Sequence, residues 1–350
     1  MNISIVSPNQ FFGKCPPGHR HMDCIFTWAK ALDATMIPYE YYLDMIIDGE
    51  FTLPPKDITI FIPSKTIRKY DNKILEYKKK FPQTLVGIMQ EGPINLFENW
   101  TAHEQYDWLN ILDSVDFLLT HNLNDRAYIK NITKNKNPTY VLPTLFDGSL
   151  MPPPLPMDER RGVMIMGCPG QWYNAMPAIK TCLDLGIKRI GIPGMGRITD
   201  DFREFCKEKK IEIYSWIQWA DWLDVLKTYT FGINIMTTRA AGTFNLNCAA
   251  LGLPCIGFYD LDTQINCHNE NLYIGKSLER YIEQFYTIVD KVYQNTNDYI
   301  EQFNVYPEVP HKRSVVNLAY KYSISSYKQN LLQLFEQIHE TCTRANTIAN

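Results

Sequence analysis

The chain has 350 residues, 45% hydrophobic, 13% aromatic and 21% charged, which is ordinary globular usage and excludes a disordered, collagenous or coiled-coil protein. Lys and Arg number 35 against 38 Asp and Glu, a net charge of -3, so no global basic field exists to hold nucleic acid. The 9 cysteines are odd in number, scattered and without a Cys-x-x-Cys pair, which reads as reduced, buried thiols. The opening Met-Asn-Ile-Ser-Ile-Val reads as a strand rather than a secretory leader, and no apolar run reaches the ~20 residues a bilayer requires. A soluble, cytoplasmic monomer is expected.

In chain order, short apolar runs alternate with helical periodicity. Strands are predicted at Ile3–Ser7, Ile58–Ile62, Thr84–Met89, Phe117–Thr120 and Thr139–Leu142, with helices at Met22–Leu32, Arg68–Lys80 and Glu104–Ser114. Residues 1–150 therefore read as an α/β domain with a parallel sheet. The proline cluster and charges of 151–161 stop a helix and deny donors to a sheet, so this stretch reads as a linker. A second α/β series occupies 162–305. Its strands are predicted at Gly162–Met166, Arg189–Ile192, Ile211–Tyr214, Phe231–Met236 and Cys255–Tyr259, and its helices at Ala175–Leu185, Ile198–Lys209, Trp219–Tyr229 and Phe244–Leu251. Helices are predicted at Leu278–Phe303 and Val316–His339, broken around Val305-Tyr-Pro-Glu-Val-Pro.

In open parallel sheets ligands bind outside the carboxyl ends of the strands, so the residues after each strand are the candidates. Gly167-Cys-Pro-Gly-Gln follows one strand and precedes a helix. The backbone N–H groups of Gly167, Gly170 and Gln171 can face an anion there, although an ordinary tight turn reads the same. After the next strand, Gly194 permits close backbone approach to a sugar or phosphate and Arg197 offers a planar cation, or the glycines serve only the turn. Trp216 lies in an indole-rich loop that suits a nucleobase or, equally, a core cluster. Further on comes Thr237-Thr-Arg-Ala-Ala-Gly-Thr-Phe-Asn-Leu-Asn-Cys-Ala-Ala-Leu-Gly-Leu-Pro-Cys-Ile-Gly: a strand end, a small-residue loop, a short helix, then another strand.

That last segment is similar to the donor-binding segment of GT-B glycosyltransferases, and the alternation of elements along the chain resembles their layout. The resemblance implies an α/β protein of two Rossmann-like domains facing a central cleft. The second would hold a nucleotide-sugar co-substrate, the first an acceptor, and a C-terminal segment at 306–350 would return to the first. Two acids of the family pattern are replaced here by Arg239 and Asn247. Arg239, with Gly242, the Thr243 hydroxyl and the helix N-terminus, is expected to hold a diphosphate, and Asn247 a ribose. A solvated loop cation and a satisfied helix residue are the alternatives for those two.

In the first domain, Gln90 and Glu91 end a strand before a Gly-Pro turn. The segment resembles that of phage DNA β-glucosyltransferases in which a strand ends in the general base, so Glu91 takes that role by resemblance, against a plain loop or capping acid. The same likeness places the Ile217 backbone on uracil. Gly18-His-Arg-His-Met-Asp follows the first strand, and His19, His21 and Asp23 are expected to touch acceptor, with His21 an alternative base, or to anchor the helix start. His121 and Asn122 resemble the loop that closes the acceptor side.

The expected activity is inverting, metal-independent sugar transfer from a UDP-sugar to an acceptor hydroxyl. The acceptor would be a hydroxymethylated pyrimidine in phage DNA. Cations at Arg68, Lys69, Lys78, Lys79, Lys80, Lys130, Lys134 and Lys136 would serve it, or form solvated helix faces. Transfer to a cell-surface or lipid-linked glycan, and a non-catalytic two-domain binding module, are the alternatives.

Overall fold

The apolar runs of the N-terminal part fold as a seven-stranded sheet in a computed structural model, which describes the chain apart from residues 9–10, 17–23, 51–55, 64–70, 91–99, 135, 154, 168–172, 195–197, 238–240, 260, 269, 275–280, 297–314 and 350. The strands are β1 (Ile3–Ser7), β2 (Gly13–Lys14), β3 (Thr35–Pro38), β4 (Ile58–Phe61), β5 (Leu85–Gln90), β6 (Phe117–Thr120) and β7 (Thr139–Val141), in the order β2-β3-β1-β4-β5-β6-β7. Only β2 runs antiparallel to its neighbour among them. Strands β1, β4, β5 and β6 are buried at every position, as parallel strands covered on both faces must be. Helices α1 (Cys24–Leu32), α2 (Tyr39–Asp48), α3 (Asp71–Lys80), α4 (Ala102–Ser114) and α5 (Leu123–Ile132) supply the cover. Val6, Phe61, Val86 and Leu118 of the sheet pack with Leu43, Ile74, Trp108 and Leu112 of the helices in one core. Polar groups inside form a short chain: Ser4 Oγ lies 2.8 Å from Thr59 Oγ1, which lies 3.0 Å from Tyr77 OH.

Neither β3 and α2 nor α5 is among the elements expected from the sequence. Thr35–Pro38 ends on a proline that also serves as N-cap of α2, so its local signal is that of a turn. Helix α5 is mostly exposed, and its one local signal is the Asn122 N-cap, whose side chain accepts from Asp125 N.

This unit extends to Phe146 and resumes at Ile324–Asn350; the second unit is Asp147–Ser323. Its strands are β8 (Val163–Ile165), β9 (Ile190–Pro193), β10 (Glu212–Tyr214), β11 (Phe231–Asn234), β12 (Cys255–Phe258) and β13 (Tyr273–Ile274), all parallel, in the order β10-β9-β8-β11-β12-β13. Between them run α6 (Ala175–Asp184), α7 (Asp200–Glu208), α8 (Trp219–Leu226), α9 (Thr243–Ala250) and α10 (Asp262–Cys267), followed by α11 (Tyr281–Gln294) and α12 (Val315–Tyr320). The chain then rejoins the first unit as α13 (Ile324–Ala349), where Ile324 N donates to Phe146 O and the helix packs on α1. The single helix expected at Val316–His339 is thus two. Turn bonds from Tyr322 N to Ala319 O and from Ser323 N to Tyr320 O end α12 as the chain changes unit.

The order of strands decides where each sheet can bind. In the second unit the chain steps outward from β8 through β9 to β10, then reverses and steps from β11 to β13, so the switch lies between β8 and β11. In the first unit it lies between β1 and β4. Loops diverge at such a switch and leave a crevice at the carboxyl edge.

At the opposite, amino edge of the second sheet, Arg189 donates from Nε to Glu212 Oε1 at 2.9 Å and lies 4.0 Å over the Tyr229 ring, while Tyr229 OH donates to Glu212 Oε2 at 2.9 Å. Tyr229 reaches this position across Gly191, where a Cβ would lie 2.2 Å from its hydroxyl. Gly191→Ala is therefore expected to destabilise the fold by about 1–3 kcal/mol through overpacking, read as a lowered urea midpoint with unchanged m-value; an unchanged midpoint removes Tyr229 from this role.

Candidate functional site

The carboxyl edge of the second sheet is built by backbone that only glycine accepts. Gly167, after β8, has φ +109, and a Cβ there would meet Tyr173 Cβ at 2.4 Å. Gly194, after β9, donates from N to Tyr214 O at 2.6 Å, a carbonyl that a Cβ would approach to 2.7 Å. Gly242, after β11, has φ +69 and stands where Thr263 Oγ1 would be 2.0 Å from a Cβ. Strands β8 and β11 stay paired to their ends, Met166 N donating to Ile233 O at 2.8 Å, so the loops carrying Gly167 and Gly242 emerge side by side at the switch.

Gly242 is the N-cap of α9 and has no side chain to cap it, so the helix begins at this edge without a capping side chain from its own N-cap residue. That is the arrangement in which a helix takes an anion. From Phe244 to Ala250 every residue of α9 is buried, so the helix dipole acts in a weakly screened environment. Its first turn is clamped from α10 and the residue after it. Thr263 Oγ1 donates to Gly242 O at 3.1 Å, Asn245 Nδ2 donates to Gln264 Oε1, and His268 Nε2 lies 2.9 Å from Asn245 O. Asn245 Oδ1 also accepts from Asn234 Nδ2, and Gln264 Nε2 donates to Cys255 O at 2.8 Å. Because a carbonyl only accepts, His268 carries its proton on Nε2 and leaves Nδ1 an acceptor with no partner among the described residues.

One turn into α9, Asn247 is 2% exposed and its Oδ1 has no hydrogen-bond partner among the described residues. Along the same edge, Trp216 is 62% exposed and Ile217 half-buried in the loop after the edge strand β10. That loop stands three strand spacings from the start of α9, about 14 Å. Gly170, Gln171, Arg197 and Arg239, the other donor-side expectations, lie outside the described residues.

In the first unit, Gln90 ends β5 directly opposite Thr120 of β6, and His121 follows. Gln90 Oε1 and both ring nitrogens of His121 have no hydrogen-bond partner among the described residues, although both side chains are buried. Burial lowers the His121 pKa to about 4, so the ring is neutral near pH 7 and offers one donor and one acceptor, the pair that a ligand hydroxyl satisfies. Its ring centroid lies 5.5 Å from that of Trp28. Asn122 is otherwise engaged: it caps α5 through Oδ1 and donates from Nδ2 to Asp125 Oδ2 at 2.8 Å. His19, His21, Asp23 and Glu91 lie outside the described residues.

Several of the cations expected to serve a nucleic acid are engaged within the fold. Lys78 pairs with Asp116 and donates to Ser114 O, Lys80 donates to Ile47 O, and Lys136 pairs with Asp113. Arg68 and Lys69 lie outside the described residues. Among the described residues no group of three or more His, Cys, Asp or Glu stands together as a metal site, and no helix is long and apolar enough to cross a membrane.

Asn245, Thr263, Gln264 and His268 have no counterpart in the sequence reading. Their one sequence signal is the polar pair Asn245 and Asn247 inside an otherwise small and apolar helix, and the bonds from Asn245 to Gln264 and His268 span 19 and 23 positions.

No protein-family model matches the chain, and no curated protein matches it in sequence. Solved structures do match its fold. Anabaena Alr3699/HepE, solved with UDP, superposes with a TM-score of 0.68 at 9% identity, covering 96% of this chain and 100% of that one. An alpha-glucosyltransferase solved with UDP-glucose and DNA containing an abasic site gives 0.61 at 13% identity, covering 97% and 99%. The pneumococcal O-GlcNAc transferase GtfA, solved with UDP and GlcNAc, gives 0.59 at 12% identity over 89% of this chain, which spans 62% of that protein. The chain has the GT-B fold of glycosyltransferases, with two Rossmann-like units.

His268 is also held near pKa 4, burial outweighing its bond to Asn245 O. A folded-state value below the unfolded 6.5 means that the unfolded chain binds more protons between about pH 6.5 and 4. Stability is therefore expected to fall as pH drops through that window, by on the order of 3 kcal/mol for each of His121 and His268. Urea denaturation from pH 7 to 4 measures the slope. His121→Phe, which keeps a ring beside Trp28, should flatten it; an unaltered slope removes His121 from the account.

Proposed function

We propose that the chain transfers a sugar from a UDP-sugar to an acceptor hydroxyl. The observation that carries the reading is the start of α9 at its glycine N-cap Gly242, at the switch of the second sheet, in a fold shared with structures solved with UDP. In this reading the start of α9 and Thr243 take the diphosphate, and Asn247 Oδ1 accepts from a ribose hydroxyl. Arg239 and Arg197 neutralise the departing UDP without a metal, and Gly167, Gly170, Gln171 and Gly194 bring backbone amides close to donor. Trp216 and the Ile217 backbone take the base. Glu91 removes the acceptor proton, with His21 the alternative base. His19, Asp23, Gln90, His121 and Asn122 line the acceptor side.

The acceptor proposed is a hydroxymethylated pyrimidine in DNA, supported by the likeness to an alpha-glucosyltransferase solved on DNA. The same likeness favours a second reading of the stereochemistry, retention, where Glu91 as base serves direct displacement with inversion.

The test is to incubate the protein with UDP-sugars, with and without hydroxymethylcytosine DNA, and to follow UDP release, DNA mass and the anomeric configuration of the product. A DNA mass gain of one sugar with UDP release is expected. UDP release without a change in DNA moves the acceptor to a glycan, and neither UDP binding nor release leaves a binding module. Glu91→Gln should lower turnover by about 100-fold or more with the UDP Kd unchanged; equal turnover removes Glu91 from the role. Gly242→Ala, which drives a Cβ into Thr263 and strains φ +69, should weaken UDP binding by about tenfold or more, measured by calorimetry.

A further inference from the structure

Arg160 is 2% exposed. It donates from Nε to Leu155 O at 2.9 Å and from its two Nη atoms to Gly252 O and Leu251 O, each at 3.3 Å. Leu251 is the C-cap of α9 and Gly252 follows it, so this guanidinium closes the carbonyl end of the helix whose amide end opens at Gly242. Burial alone acts on its pKa, lowering it to about 10, so it stays charged at neutral pH, and no carboxylate pairs with it among the described residues.

A buried formal charge without a counter-ion is expensive, and carbonyl dipoles offset only part of that cost. A neutral side chain with two N–H donors would satisfy Leu251 O and Gly252 O without it. Helix α9 is 8 residues long, about 12 Å, and buried along nearly all of its length. A charge at one end is therefore weakly screened at the other.

Resting on the donor reading above, we propose that Arg160 is the electrostatic counterpart of the donor diphosphate, a positioning residue that acts through α9 and makes affinity at the amide end depend on ligand charge. The carbonyl end of the helix, left alone, places partial negative charge behind the anion site. Arg160 cancels that charge and leaves a net positive helix facing the ligand.

The experiment titrates uridine, UMP and UDP against the full-length wild-type chain, R160K and R160Q by calorimetry, with thermal denaturation of each alongside. Gln keeps two N–H donors and removes the charge, whereas Lys keeps the charge and loses the planar fork. Wild-type affinity is expected to rise from uridine through UMP to UDP. R160Q should weaken UDP about tenfold and UMP less, with uridine unchanged, while R160K keeps the wild-type ratio of UDP to uridine affinity. If R160Q melts below the assay temperature, all three chains are titrated in trimethylamine N-oxide, which favours the folded state. Equal weakening of all three ligands, or the same change of ratio in R160K and R160Q, marks a merely structural arginine and overturns the assignment. A wild-type chain that binds none of the three overturns the donor reading and this inference together. Nucleotide binding with the wild-type ratio kept in R160Q overturns the role of Arg160 alone.

Discussion

The second unit is organised around how closely α9 and α10 approach β11 and β12. A Cβ at Gly232 would lie 2.8 Å from Cys248 Sγ, and one at Gly257 would lie 2.7 Å from Gln264 Oε1. Without those atoms the helices lie directly on the sheet, and α9 loses almost all contact with water. Two consequences follow from that burial. Polar groups on and around α9 are held by partners inside the protein, as the Asn234, Asn245 and Gln264 amides are in series. The amides at the start of the helix, and any charge at its end, act in a medium that screens them poorly.

The two edges of each sheet treat their polar groups differently. At the amino edges they are paired. Asp57 Oδ2 accepts from Asn2 N, Asp116 accepts from Val86 N and Lys78, and Arg189 holds Glu212. At the carboxyl edge of the first sheet, Gln90 and His121 keep buried atoms without a partner among the described residues, and so does Asn247 one turn into the helix that starts at the carboxyl edge of the second. A buried polar atom left unpaired costs more than the same atom paired. Gln90, His121 and Asn247 lie at or near the carboxyl edges, where parallel sheets bind ligands.

Much of the fold was legible in local pattern. The runs Ile3–Ser7 and Phe117–Thr120, mostly apolar and buried at every position, suit a sheet covered on both faces. Pro254 after Gly252 announced the step from α9 to β12, since a left-handed glycine and a proline both end a helix. Thr35–Pro38 is not legible locally because it ends on a proline, which reads as a turn rather than a strand within a parallel sheet. The break at 321–323 escaped because apolar spacing continues through it; the helix stops where the chain passes from one unit to the other.

The sequence by itself determined the alternation of strands and helices, the parallel α/β class, the GT-B resemblance and the loops in which a site should be sought, because periodicity, turn chemistry and helix stops are written within a few residues of each other. Only the tertiary structure decided which polar groups are satisfied. Asn122, a site candidate in the sequence, spends its amide on capping α5, while the two ring nitrogens of His121 beside it have no partner among the described residues. Arg160, unremarked in a proline-rich stretch, closes a helix 91 residues away. Hydrogen-bond satisfaction and screening depend on what packing brings within 3 Å of an atom, and sequence distance carries almost no information about that.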